Sequence, residues 1–222
     1  MAQFEIIEQQ GLRMIRATIR NETIRAESGA MHYMQGNITL DSPMPTAGGI
    51  FKALVTKENV FKPTYTGTGV IHFGPPTLGE YFILDLQNEG WVLDRGAYVC
   101  SDHGIEIDAF RNKAITGLAG GEGFFQTLIR GTGKVVIYSA GPVQPIDLVN
   151  DRLTVDGNFA VARQEHLDFS VQRASKSLIG SLTSGEGLVS VIQGTGRVYL
   201  APVPNWQFSL AAHILAGIPT RG

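Results

Sequence analysis

The sequence predicts an all-β protein, folded as one continuous body from three tandem repeats. Three observations carry this expectation. Gly-Thr-Gly occurs at Gly67–Gly69, Gly131–Gly133 and Gly194–Gly196, at steps of 64 and 63 residues, and a fixed period of this kind marks a repeated supersecondary unit. A glutamate stands ahead of each copy, at Glu58, Glu122 and Glu186. The runs flanking the copies are short and rich in β-branched and aromatic residues, the composition of strands. Of the 222 residues, 27 are glycine, 10 are proline and only 17% are charged, which suits many turns between strands.

The first unit, residues 1–86, is the most degenerate. Its glutamate block, Glu58-Asn59-Val60-Phe61-Lys62-Pro63, carries a proline, which predicts an edge strand or a bulge. Strand character returns from Gly67 to Phe73. The second unit, 87–148, holds Glu122–Arg130 and Lys134–Tyr138 on either side of its Gly-Thr-Gly, and the third, 149–210, holds Glu186–Gln193 and Arg197–Leu200. Between these blocks lies a second recurring segment: Ala26–Met31, Leu93–Val99 and Val155–Val161. Each places an acidic residue and a glycine just before a strand, the chemistry of a turn. Each Gly-x-Gly has two physical explanations: positive φ at a hairpin turn or bulge, or room for another backbone to pass where a side chain would clash. Gly74-Pro75-Pro76, Gly141-Pro142 and Pro202–Pro204 then end the second strands. The tail, 211–222, with Gly217 and Pro219 as stop signals, predicts a short helical or irregular cap.

Composition excludes several classes. Net charge is −2, from 18 basic and 20 acidic residues without a basic run, so no nucleic-acid partner is expected. One cysteine, Cys100, leaves no internal disulfide and no cysteine-rich zinc site. The N-terminal stretch lacks a long apolar core and carries Glu5 and Glu8, unlike a secretory or transit segment. No apolar run approaches the ~20 residues that span a bilayer. The expectation is a soluble cytoplasmic protein, with peripheral membrane contact by the tail as the sharper alternative.

Ala26-Glu27-Ser28-Gly29-Ala30-Met31 with Tyr33-Met34, the Gly-Glu-Gly-Phe-Phe block at 121–125 and the Gly-x-Gly-x-Val segments carry a resemblance. Over roughly residues 4–204 the chain resembles the altered-inheritance-of-mitochondria protein twenty-four family. Glu58-Asn59-Val60-Phe61 departs from that family's Gly-Glu-x-Phe-Phe. The resemblance implies three double-stranded β-helix (jelly-roll-like) repeats around a pseudo-threefold axis, similar to the tryptophan RNA-binding attenuation protein. It also implies a link to membrane organisation in mitochondrial relatives. Fold alone does not carry function across.

Chemical candidates are few. Glu58, Glu122 and Glu186 would bind a cation or polar ligand if three equivalent carboxylates met, with pKa values shifted by mutual repulsion. The plainer reading is that each accepts backbone N–H bonds at a strand entry. His103 and His166 stand 63 residues apart, each after an acidic residue, and are weak metal candidates because the first unit offers no third histidine. Cys100 aligns with Ala162 and reads as a small strand residue. No Gly-x-Ser-x-Gly elbow and no phosphate-binding loop is present. Phe124, Phe125, Tyr138, Tyr199 and Trp206 would line a pocket if one formed. The expectation is a non-enzymatic scaffold acting as a homo-oligomer, without cofactor or resident metal. The alternative is a small-ligand-binding module with a pocket within or between repeats.

Overall fold

The computed structural model describes residues 1–42, 62–74, 79–111, 125–156, 159–173 and 188–201. Its described residues form strands and turns without a helix, and every strand pair is antiparallel. The strands are β1 (Gln3–Gln9), β2 (Leu12–Ala26), β3 (Met31–Asp41), β4 (Thr64–Phe73), β5 (Glu80–Leu93) and β6 (Tyr98–Asp102). They continue with β7 (Glu106–Arg111), β8 (Phe125–Ser139), β9 (Gln144–Asp156), β10 (Ala160–Gln164), β11 (Asp168–Arg173) and β12 (Leu188–Leu200). They make one sheet in the order β11-β12-β10-β5-β8-β6-β2-β4-β3, with β1 on β2, β7 on β8 and β9 on β12.

Alternation of side chains explains the individual strands. In β2, Ile15, Ala17 and Ile19 point into the core while Arg16 and Arg20 face away, as the period of two requires. The same chain then needs to keep its apolar face inward past a bend. It does so with one extra residue. Pairing shifts between Arg20 and Glu22 in β2 and between Gln87 and Glu89 in β5, and opposite Gly194–Gly196 in β9. Asn21, Asn88 and Asn150 are the extra residues, with φ of 56°, 58° and 49°. Asparagine tolerates this left-handed region better than other residues with a Cβ.

The Gly-Thr-Gly copies lie opposite these bulges, in mid-strand. None forms a hairpin turn. The threonine hydroxyl of each copy accepts the asparagine N–H: Asn21 to Thr68 at 2.9 Å, Asn88 to Thr132 at 3.1 Å and Asn150 to Thr195 at 2.8 Å. Both physical roles open in the sequence meet here. Gly67, Gly131 and Gly194 have φ of +141°, +123° and +128°, and a Cβ on Gly67 would lie 2.1 Å from the Asn37 carbonyl oxygen.

The predicted acid-glycine turns are present. Ala30 N–H donates to Glu27 O, Ala97 to Asp94 and Phe159 to Asp156, at 3.1, 3.1 and 3.4 Å. Gly29 and Gly96 take positive φ at the third turn position, where a Cβ is disfavoured. The expected unit boundaries at 86/87 and 148/149 fall inside β5 and β9. The strands themselves change over elsewhere: β4 ends at Phe73 and β5 begins at Glu80, while β8 ends at Ser139 and β9 begins at Gln144.

Strands β2-β4-β3, β5-β8-β6/β7 and β9-β12-β10/β11 thus form three sets with the same bulged pair of long antiparallel strands. Two junctions link them: β6 pairs with β2, and β10 pairs with β5. The cores follow that order. One cluster joins Ile15, Ile19 and Phe73 to Val99, Val136 and Tyr138; a second joins Leu86, Leu93 and Ile137 to Val161, Ala162 and Ala201; the third holds Leu148, Leu167, Ile192 and Val198. Among the described residues, no ladder joins β9 back to β3.

Candidate functional site

Where the second set meets the third, β5, β9, β10 and β12 enclose a cleft of about 460 Å³, within the usual range for small-molecule sites. Its aromatic wall is Trp91 and Tyr199, with ring centroids 5.4 Å apart, and Phe82 extends the stack at 4.9 Å from Tyr199. Trp91 is buried, and its indole N–H has no hydrogen-bond partner among the described residues. Three carboxylates (Asp85, Glu89 and Asp147) line the cleft against one guanidinium, Arg197, so its field favours positive charge.

Gln164 fixes the geometry. Its Nε2 donates to Glu89 at 3.0 Å, and its Oε1 accepts the Arg197 backbone N–H at 2.8 Å. One amide thereby ties β5 to β12 across the junction. Arg197 grips Asp147 with Nε at 2.6 Å and the second nitrogen at 3.0 Å. That pair holds the Asp147 carboxyl below its ordinary range and raises the guanidinium, with Tyr199 adding to the latter. The two side chains are 45% and 63% exposed, so the pair orients the cleft wall more than it stabilises the fold. Next to Gln164 in the chain, Glu165 accepts from Arg130 Nε at 2.8 Å, which lowers that carboxyl.

An aromatic wall beside excess carboxylate is the chemistry that recognises a small organic cation or a polar molecule with donor groups. Thr195 Oγ1 accepts the Asn150 N–H, which fixes the oxygen in the cleft wall and leaves its O–H to donate.

The residues that the sequence singles out scatter relative to this cleft. Glu58, Glu122 and Glu186 lie outside the described residues, as do Phe124, Trp206 and the tail, and the Phe125 side chain. Arg197 pairs with Asp147. Of the five aromatic candidates, Tyr199 lines the cleft, whereas Tyr138 is buried in the first core cluster. His103 and His166 occupy different turn positions. Ile105 N–H donates to Asp102 O and Leu167 N–H to Gln164 O, a step of 62 that makes Glu165 the counterpart of His103. His166 Nε2 lies 2.9 Å from the Thr195 carbonyl. No group of three metal-ligating side chains occurs among the described residues. Cys100 is buried at the position of Ala162. The bulge asparagines and Gln164 are not foreseen from the sequence. Asn21-Glu22, Asn88-Glu89 and Asn150-Asp151 were a usable signal, an asparagine followed by an acid in each unit.

The family described as mitochondrial biogenesis AIM24 matches residues 4–203. The chain belongs to the AIM24 family. An uncharacterised protein of Streptococcus pyogenes serotype M6 is 25% identical over 198 residues, 84% of this chain and 79% of that relative. A crystal structure of protein SPYM3_0169 from Streptococcus pyogenes is similar at a TM-score of 0.77 and 22% identity, covering 97% of this chain and all of the other. That likeness concerns the fold. No helix among the described residues of this AIM24 chain is long and apolar enough to cross a membrane.

Proposed function

We propose that the chain is a non-enzymatic structural protein that acts as a homo-oligomer, built from three double-stranded β-helix repeats and residing in the cytoplasm. The observation that carries this reading is that four of the seven exposed large apolar side chains among the described residues lie on two strands. Tyr33, Met34 and Leu40 are on β3 and Val149, 78% exposed, is on β9, the strands that end the first and third sets, while Met1, Ile6 and Leu12 lie at β1 and the start of β2. Apolar groups gathered on terminal strands mark association surfaces. Light scattering across micromolar concentrations tests it: the mass should be a multiple of one chain and fall on dilution. A single-chain mass throughout that range would sink the proposal.

A second reading has its own support in the cleft. Trp91, Tyr199 and the surrounding carboxylates suit a small cationic or polar metabolite bound between repeats. In a thermal-shift series with polyamines, basic amino acids and nucleotides, the cationic compounds should raise the melting temperature, and Trp91→Leu should abolish the rise. A shift that survives Trp91→Leu would place the ligand elsewhere.

A further inference from the structure

We infer that copies of this chain join head to tail, with the free edge of β3 in one copy pairing antiparallel to the free edge of β9 in the next. This rests on the self-association proposed above and names its surface and register.

The chain itself supplies the template twice. At one junction Ile24, Arg25 and Ala26 pair with Asp102, Ser101 and Cys100; at the other Trp91, Val92 and Leu93 pair with Gln164, Arg163 and Ala162. In both, the first three-residue stretch begins three positions after a bulge asparagine. The third asparagine, Asn150, puts Leu153, Thr154 and Val155 in that place. In both, the other stretch ends where a strand crosses its Gly-Thr-Gly partner: Cys100 opposes Val136 and Ala162 opposes Tyr199, each three residues past the last glycine. The first set has Tyr33 opposite His72 at the same step, with Met34 opposite Ile71 and Gln35 opposite Val70. The expected register is therefore Leu153 with Gln35, Thr154 with Met34 and Val155 with Tyr33. Glu27 N–H donates to Val99 O, and Asp94 N–H to Val161 O, both at 2.8 Å, closing the two internal junctions. Asp156 N–H would then donate to His32 O in the next copy.

Burial shows the third junction open. Cys100, Ser101, Ala162 and Arg163 are 0–3% exposed, whereas Tyr33 is 53% and Met34 39% exposed. Thr154 is exposed as well. Soluble proteins blunt free strand edges with lysine, proline or inward charge. None of the six positions carries any of these. The two edges differ from one another, so the contact is heterologous and continues to a ring or a filament. A second copy is the occupant this geometry selects, because it presents the strand that the internal junctions use.

Engineered thiols test the register in the full chain. Cys100 is fully buried and does not compete. Directly opposed residues of an antiparallel pair have Cβ atoms about 4.5–5.5 Å apart, close enough for a disulfide after slight adjustment. Met34→Cys protein mixed with Thr154→Cys protein should give a disulfide-linked dimer on oxidation, while neither alone does. The double variant should give a ladder of linked chains, and Met34→Lys should return the mass to a single chain with its circular dichroism unchanged. If the double variant links only within one chain, the third junction closes internally and the inference fails. If wild type assembles but no pair links and Met34→Lys stays assembled, the edges are wrong while self-association stands. Wild type with the mass of one chain at all concentrations overturns both.

Discussion

Asparagine at the bulge solves a local problem: an extra residue must turn through positive φ while its N–H finds an acceptor. A left-handed conformation costs other residues with a Cβ about 1–2 kcal/mol, and the threonine hydroxyl satisfies the amide. Asn88→Ala should therefore lose about 1 kcal/mol in urea denaturation, and Asn88→Gly much less. Thr132→Val should lose about 1 kcal/mol by exchanging the hydrogen bond from the Asn88 N–H for one to water. Equal stability of Asn88→Ala and wild type would show that the bulge does not hold the strand. The glycines set a steeper test. Gly67→Ala drives a Cβ toward the Asn37 carbonyl oxygen at 2.1 Å, whereas the first obstacle at Gly131 is 3.3 Å away. The first substitution should cost about 3 kcal/mol, the upper end of overpacking, and the second clearly less. His72 adds a pH dependence. It stacks on Tyr33 at 4.2 Å, its Nδ1 has no partner among the described residues, and burial lowers its pKa below 6.5, with Arg16 and His32 adding to that. A depressed histidine pKa means the unfolded chain binds the proton more readily, so stability should fall as pH drops below about 6.5. His72→Gln should flatten that part of the melting-temperature profile; an unchanged slope would assign it to other groups.

At the scale of elements, turns were legible and junctions were not. Glu27-Ser28-Gly29 and Asp94-Arg95-Gly96 announce their turns through residue chemistry that acts within four positions. The all-β class followed from strand composition for the same local reason. The Gly-Thr-Gly period located a recurring step but not the strand ends, since it marks the middle of β4, β8 and β12. The candidate cleft was hidden because its parts come from far apart: Glu89 and Gln164 meet across 75 residues. Nothing local in β10 distinguishes Gln164 from a solvated strand end. Its two bonds argue a prediction at this scale. Gln164→Leu removes both ties between β5 and β12 and should cost about 2 kcal/mol, near the sum of two ordinary hydrogen bonds. Gln164→Glu keeps the acceptor for Arg197 N–H but sets a carboxylate against Glu89, so its deficit should grow as pH rises through the carboxylate range. A pH-independent deficit would mean that Glu89 does not face this side chain.

For the whole molecule, the order of the cores sets the order of opening. The first and second clusters each span two strand sets, so opening either exposes apolar surface on both sides of a junction. Among the described residues, the buried members of the third are Leu148, Leu167, Ile192 and Val198, with Ile146, Leu153 and Phe169 partly buried against them, and β9 pairs only with β12. Regions with few buried apolar groups open locally at lower free energy than the global transition. In a single chain, amides of β9 and β11 should exchange faster than those of β2, β5 and β8. Assembly changes the expectation at two places only. A neighbour's β3 on β9 protects Thr154–Asp156, and a neighbour's β9 protects Tyr33–Gln35, while β11, outside the contact, stays as it was. Hydrogen exchange followed by mass spectrometry at high and low protein concentration separates these outcomes. Concentration-dependent protection confined to 31–36 and 152–157 is the expected result. Uniform protection of the third set would instead mean that assembly stabilises the set as a whole, through a surface other than the two strand edges.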